Sequence, residues 1–169
     1  TLLEEFGHTV EEASPEIDHI TTRIAFMTLW GTNGAYTIET LSRALNRTPS
    51  LDYLEPITFS LYERGKTVLG YQHLWAVQML HRAARDAAKF HEIYDLWLTP
   101  TLAHLPFRHG TVDRNESNAE KAFVPVMYHV PFTSLQKATG QTAISLPLAM
   151  STEGLPIGMQ FVARAGDEM

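Results

Sequence analysis

Serine, lysine and histidine are the side chains here that could attack, transfer a proton or bind a metal, so they are weighed first. A serine nucleophile needs a base within reach and a turn that exposes its hydroxyl. The serines are Ser14, Ser42, Ser50, Ser60, Ser117, Ser134, Ser145 and Ser151, and none sits in a Gly-x-Ser-x-Gly elbow. Ser145 falls in mid-strand, where a small packing residue is the expectation. There is no cysteine, which removes thiolate chemistry and disulfides. Eight histidines invite a metal reading. His73, His81 and His91 fall on one helical stretch, but successive pairs are about 80° apart in opposite senses and over about 10 Å apart along the axis. They cannot converge on one ion. Neither an HExxH pair nor zinc-finger spacing occurs, so exposed or capping histidines are expected and no metal is implied. No Walker loop and no Gly-x-Gly-x-x-Gly follows a strand, so no phosphate or dinucleotide cofactor is implied either.

The elements that would position any site come next. The patterning converges on residues 131–164. Thr133 suits an N-cap and Gly140 a left-handed helix end. From Ala143 the period becomes two, with Ile144, Leu146, Leu148 and Met150 on a bulky face. Ala143, Ser145, Pro147 and Ala149 form a small one. Residues 151–156 turn the chain, and Ile157, Met159 and Phe161 alternate again, so a hairpin is predicted. Upstream, Leu2, Leu3 and Phe6 have helical spacing closed by Gly7, and residues 9–13 read as a short strand. Residues 17–45 read as helix interrupted near 31–34, and 53–64 as helix with Pro56 in its first turn and Gly65 at its end. The longest helix is predicted over 67–94. Its apolar face carries Leu74, Trp75, Val77, Leu80, Ala84, Ala87, Ala88 and Ile93. Residues 95–99 read as a buried strand closed by Pro100, and 104–118 as a long loop. Residues 120–129 are ambiguous, and Asp167 suits a helix start.

The totals bound the class. A chain this long buries about 70% of its unfolded surface, enough for one real core. The net charge is −6 with no basic run, which excludes nucleic acid as the expected partner. No apolar stretch is long enough to span a membrane. The lack of cysteine permits a reducing compartment, and a cytoplasmic location is the expectation.

Three blocks carry a resemblance: LLEEFGHTVEEA at 2–13, YDLWLTPT at 94–101 and TGQTAISLPLAMSTEGLPIGMQFVARAGDE at 139–168. In this order they resemble the C-terminal part of the amidase signature family. The resemblance covers essentially the whole chain. It implies an α/β fold, a mixed β-sheet flanked by helices and truncated at both ends, with residues 1–169 the C-terminal portion of one amidase domain. The stretches Glu55-Pro56-Ile57 and Tyr62-Glu63-Arg64-Gly65 are similar to the bacterial subgroup that includes cyclic nylon-oligomer hydrolases.

The family uses a Ser–cis-Ser–Lys triad set in glycine- and serine-rich sequence. This chain has only Lys66, Lys89, Lys121 and Lys137 and no such cluster, so no catalytic residue carries over and the isolated chain is expected to be inactive. The resemblance instead implies that this segment completes the sheet and the pocket for a small-molecule amide. The candidates for lining that pocket are Trp30, Asn33, Phe132, Thr133, Gln136 and Lys137. Lys137 stands where many relatives carry Asn, and Thr142 where they carry Pro, which leaves substrate preference open. A homodimer is compatible with this reading. The alternatives are a non-catalytic binding or assembly module, such as an amidotransferase-type subunit, and one piece of a longer, nicked chain.

Overall fold

In the computed structural model, which describes residues 2–168, the order is α1 (Leu2–Glu5), α2 (His19–Leu45), α3 (Pro56–Lys66), α4 (Gly70–Phe90), β1 (Trp97–Pro100), α5 (Ala119–His129), α6 (Thr133–Thr139), β2 (Ala143–Met150) and β3 (Pro156–Val162). The mixed α/β class is as the sequence implied. The sheet has order β1-β3-β2, and both pairings are antiparallel.

Helix α2 begins where the Asp18 carboxylate accepts the Thr21 backbone N–H at 3.0 Å. It runs unbroken through Gly31 and Gly34, against the predicted interruption. The reason is packing. Gly31 lies against Gly65 of α3, and a Cβ on Gly65 would sit 2.6 Å from the Gly31 carbonyl carbon and 2.8 Å from the Ala35 methyl. These glycines let two helices touch backbone to backbone, which repays their cost in helix propensity. Gly65 is thus buried inside α3 instead of ending it, and Thr67 is the C-cap. Pro56 takes the first helical position, where its missing N–H costs nothing.

Helix α4 is shorter than predicted, and its buried stripe differs. Ala76, Leu80, Ala83, Ala87 and Phe90 face inward, while Leu74, Trp75 and Ile93 are exposed. Ala76 and Leu80 meet Ala25 of α2, with Phe26, Leu29 and Ala138 around them. Ala83 and Ala87 meet Ile17, Leu135 and Trp97. Small residues bring α2 and α4 close, and α6 caps the pair.

One face of the sheet carries Trp97, Thr99, Gln160 and Val162 toward the helices. Thr99, Gln160 and Val162 are buried there, and Gln160 Nε2 donates to Thr99 Oγ1 at 3.1 Å. Between Pro147 and Ala149 the register shifts, leaving Leu148 without a partner and ending the strict alternation predicted for β2. The hairpin turn closes with Ser151 N–H donating to Leu155 O at 2.8 Å and Gly154 at φ 77°. Residues 9–13, predicted as a strand, are irregular, and no strand among the described residues pairs with them. Residues 120–129, ambiguous in sequence, fall in α5, which has Pro125 inside it. Asp167 starts no helix among the described residues; its carboxylate pairs with Arg164 at 2.9 Å. Met169 lies outside the described residues.

Candidate functional site

The candidate residues fall into separate settings. Trp30 is half-buried on α2, its ring 4.5 Å from Phe123 of α5 and 6.4 Å from Phe26. Asn33, three residues on, is exposed. Phe132 is the N-cap of α6, and Thr133 is its first residue instead of the predicted cap. Gly140, at φ 73°, ends α6 in the left-handed conformation as expected.

Within α6, Gln136 and Lys137 divide sharply. Lys137 is exposed, whereas Gln136 is 4% exposed and neither its Nε2 nor its Oε1 has a partner. A buried amide left unpaired costs about 1–3 kcal/mol, so it marks a place where a polar group belongs.

Sequence reasoning missed a second cluster. His129 closes α5 and is buried, not exposed; its Nδ1 has no partner. Phe107 stacks on it at 3.8 Å, with His104 on the same ring at 6.2 Å. The His129 carbonyl accepts the Ala103 N–H at 3.0 Å, so the loop after β1 is pinned to the end of α5. No spacing signal links residues 104, 107 and 129; only the fold brings them together. His91 is also buried, at the C-cap of α4, and bridges the Tyr94 carbonyl at 3.2 Å and Gln141 Nε2 at 3.0 Å.

A further setting is a nook across the sheet. Thr101 and Ser145 share a hydrogen bond at 2.6 Å over Gly158. A Cβ on Gly158 would meet both hydroxyls at 2.9 Å. Ser145 therefore has a threonine beside it, and that hydroxyl is no base. Lys66, Lys89 and Lys121 pair with Glu63, Asp86 and Glu116 at 3.0, 2.8 and 2.8 Å. These hydrogen bonds raise the Lys66 and Lys121 ammonium groups above their ordinary range, the wrong direction for a general base. Among the described residues, no three His, Asp or Glu side chains gather as metal ligands, and no helix is long and apolar enough to cross a membrane.

Two concavities stand out among the described residues. One, of about 590 Å³, lies between residues 3–13, the end of α4 and β1, with Phe161 on its floor. The other, of about 460 Å³, is a groove between α2, the end of α3 and the start of α4. None of the six sequence-predicted candidates lines either of them.

Comparison with known proteins places these features. The Amidase family matches residues 1–169. AmiC of Mycobacterium leprae, named as an amidase, is 35% identical over 167 residues, covering 99% of this chain and 35% of that protein. The structure of 6-aminohexanoate cyclic dimer hydrolase complexed with substrate superposes with a TM-score of 0.87 at 28% identity, covering 98% of this chain and 36% of that one. A glutamyl-tRNA(Gln) amidotransferase subunit of Granulibacter bethesdensis is 35% identical over 86 residues, covering 50% of this chain and 16% of that protein. The chain spans about a third of the length of these hydrolase relatives. It belongs to the amidase family.

Proposed function

We propose that this chain is the C-terminal portion of an amidase-signature domain, residues 1–169, acting within an enzyme that hydrolyses small linear or cyclic amides. The observation that carries this reading is a family match across every residue of a chain that spans 35% of its relative. An amide is a poor electrophile, so its hydrolysis needs an activated nucleophile, a proton donor for the leaving amine and an oxyanion hole. The paired lysines and the Thr101–Ser145 clasp offer none of these. The triad belongs to the remaining portion of the enzyme, and this segment completes the sheet and one wall of the pocket. Gln136, with Phe132, Thr133 and Lys137 on the same short helix and Trp30 and Asn33 on α2, supplies that wall. The unpaired Gln136 amide supports this, since it suits a substrate amide or a facing main-chain group.

The test joins this chain to the remaining two thirds of the M. leprae relative and assays a panel of small amides, including 6-aminohexanoate cyclic dimer. Turnover in the chimera, and none in this chain alone, is the expected result. A fluorophosphonate adduct on this chain alone would overturn the assignment of the nucleophile elsewhere. The half-chain match to an amidotransferase protein favours a second reading, an assembly component of an amide-transferring complex. A folded chimera that hydrolyses no amide yet forms a stable complex with a partner protein would favour it.

A further inference from the structure

Resting on the partial-amidase reading, we propose that the groove between α2, the end of α3 and the start of α4 binds a carboxylate with an apolar arylalkyl body, the product class that amide hydrolysis releases. The groove holds about 460 Å³, within the roughly 300–1,000 Å³ of small-molecule sites. It has a polar and an apolar end. Gly31 of α2 lies against Gly65 of α3, which puts Arg64 and Val68 at that end. Ala25 packs on Ala76, which puts Ile24 and Trp75 at the other. Met27 and Tyr71 line the stretch between them. Ile24 is 50% exposed, Tyr71 68% and Trp75 39%, so the apolar walls are open to a ligand.

The charge of the groove sets the polar end of its ligand. Among the described residues that line it, Arg64 alone is charged, and no acidic side chain takes part. Arg64 donates to the Glu120 carboxylate through one terminal nitrogen. A guanidinium carries five N–H groups, so the fork keeps donors for a second carboxylate. Both partners of that ion pair are well exposed, and a pair of this kind is too weak to lock Arg64 away from the groove. Gln72 points the same way. Its Oε1 accepts the Leu69 N–H at 2.9 Å, which leaves Nε2 as a donor. The Trp75 indole N–H can only donate. Donors at one end of an apolar, aromatic groove suit an anion with a hydrophobic tail. A planar carboxylate matches the Arg64 fork, whereas a neutral amide brings no charge to that hydrogen bond. The groove also stands apart from the proposed substrate wall. Trp30 lies about 120° around α2 from Ile24, and its ring packs on Phe123 of α5. Occupancy of the groove therefore leaves that wall free, as a product-sensing site requires.

The test titrates this chain with 4-phenylbutyrate and with 4-phenylbutyramide and follows the indole N–H resonances of Trp30, Trp75 and Trp97. Trp75 is expected to shift saturably while Trp30 and Trp97 hold. The carboxylate is expected to bind at least about fivefold more tightly than the amide. Arg64→Met, which keeps an apolar stem, should remove that preference. Ile24→Glu, which places an acid in the groove, should abolish carboxylate binding. Equal binding of the two compounds overturns the site, as does equal movement of all the indoles or no saturable shift up to about 10 mM ligand. The same titration of the chimera with the M. leprae portion separates the two readings, with Trp75→Phe identifying the resonance. Amide hydrolysis with Trp75 unmoved means that the other portion fills the groove, which overturns this inference and leaves the amidase reading. A Trp75 shift with carboxylate preference, in a folded chimera that hydrolyses no amide, overturns the amidase reading and leaves the carboxylate site standing without its product role.

Discussion

The helical layer and the sheet of this molecule treat apolar residues in opposite ways. Where α2, α3 and α4 meet, alanine and glycine are fully enclosed: Ala25 and Ala76 are 0% exposed, and Gly31 and Gly65 touch through their backbones. Along β2 every residue is exposed, although AISLPLAM is as apolar as a strand buried on both faces. Ile144 is 57% exposed and Met150 62%. A run of this kind is the mark of a strand meant to be covered, and an open apolar edge is a pairing hazard. Pro147 blunts that edge in part, since its missing N–H falls at an outward position. The small-residue seams of the helical layer are therefore closed, whereas the apolar run of β2 is left uncovered.

That contrast can be broken by substitution. The largest expected effect is Leu80→Ala, which opens a cavity among Ala25, Ala76 and Phe26 and should cost about 3 kcal/mol in urea unfolding. Ile144→Ser on the sheet should change the isolated chain by less than about 0.5 kcal/mol while weakening its assembly with the remaining amidase portion. Equal effects of the two on the isolated chain would erase the distinction. Next comes Gly65→Ala. Its methyl meets the Gly31 backbone, which cannot rotate away, and about 2 kcal/mol of stability should be lost. Gly158→Ala sharpens the comparison, because the obstacles there are the Thr101 and Ser145 hydroxyls. Side chains can turn aside, so the loss should be nearer about 1 kcal/mol.

The smallest effect concerns acid. The Thr21 backbone N–H holds the Asp18 carboxyl below its ordinary range, and hydrogen bonds from Lys89 and Lys121 do the same for Asp86 and Glu116. A folded-state value below the unfolded one means that the stabilisation is complete above the unfolded value, about pH 4 to 4.5. It is lost as pH falls through the folded values. Thermal midpoints followed downward from pH 6 should decline below about pH 4.5, and Asp18→Ala should flatten part of that decline.

The α/β class, the β2–β3 hairpin, the left-handed Gly140 and the family are all legible in the residues, because each depends on local periodicity, turn chemistry or a short motif. Propensity alone marks Gly31 and Gly65 as breakers, since it counts the entropy a glycine loses and cannot see the helix it lets in. The buried stripe of α4 shares Leu80 and Ala87 with the predicted one, while Ala76 and Ala83 join it because Ala25, Ile17 and Leu135 pack on that side of the helix. Of the candidate site, Gln136 stands out only once its burial is known, and the His104–Phe107–His129 stack joins residues with no shared spacing. Residues 9–13 show the dividing line most plainly. Sequence sets the extended preference of those five residues, but a strand exists only through hydrogen bonds to a neighbour, and which segment stands beside it is decided by tertiary structure alone.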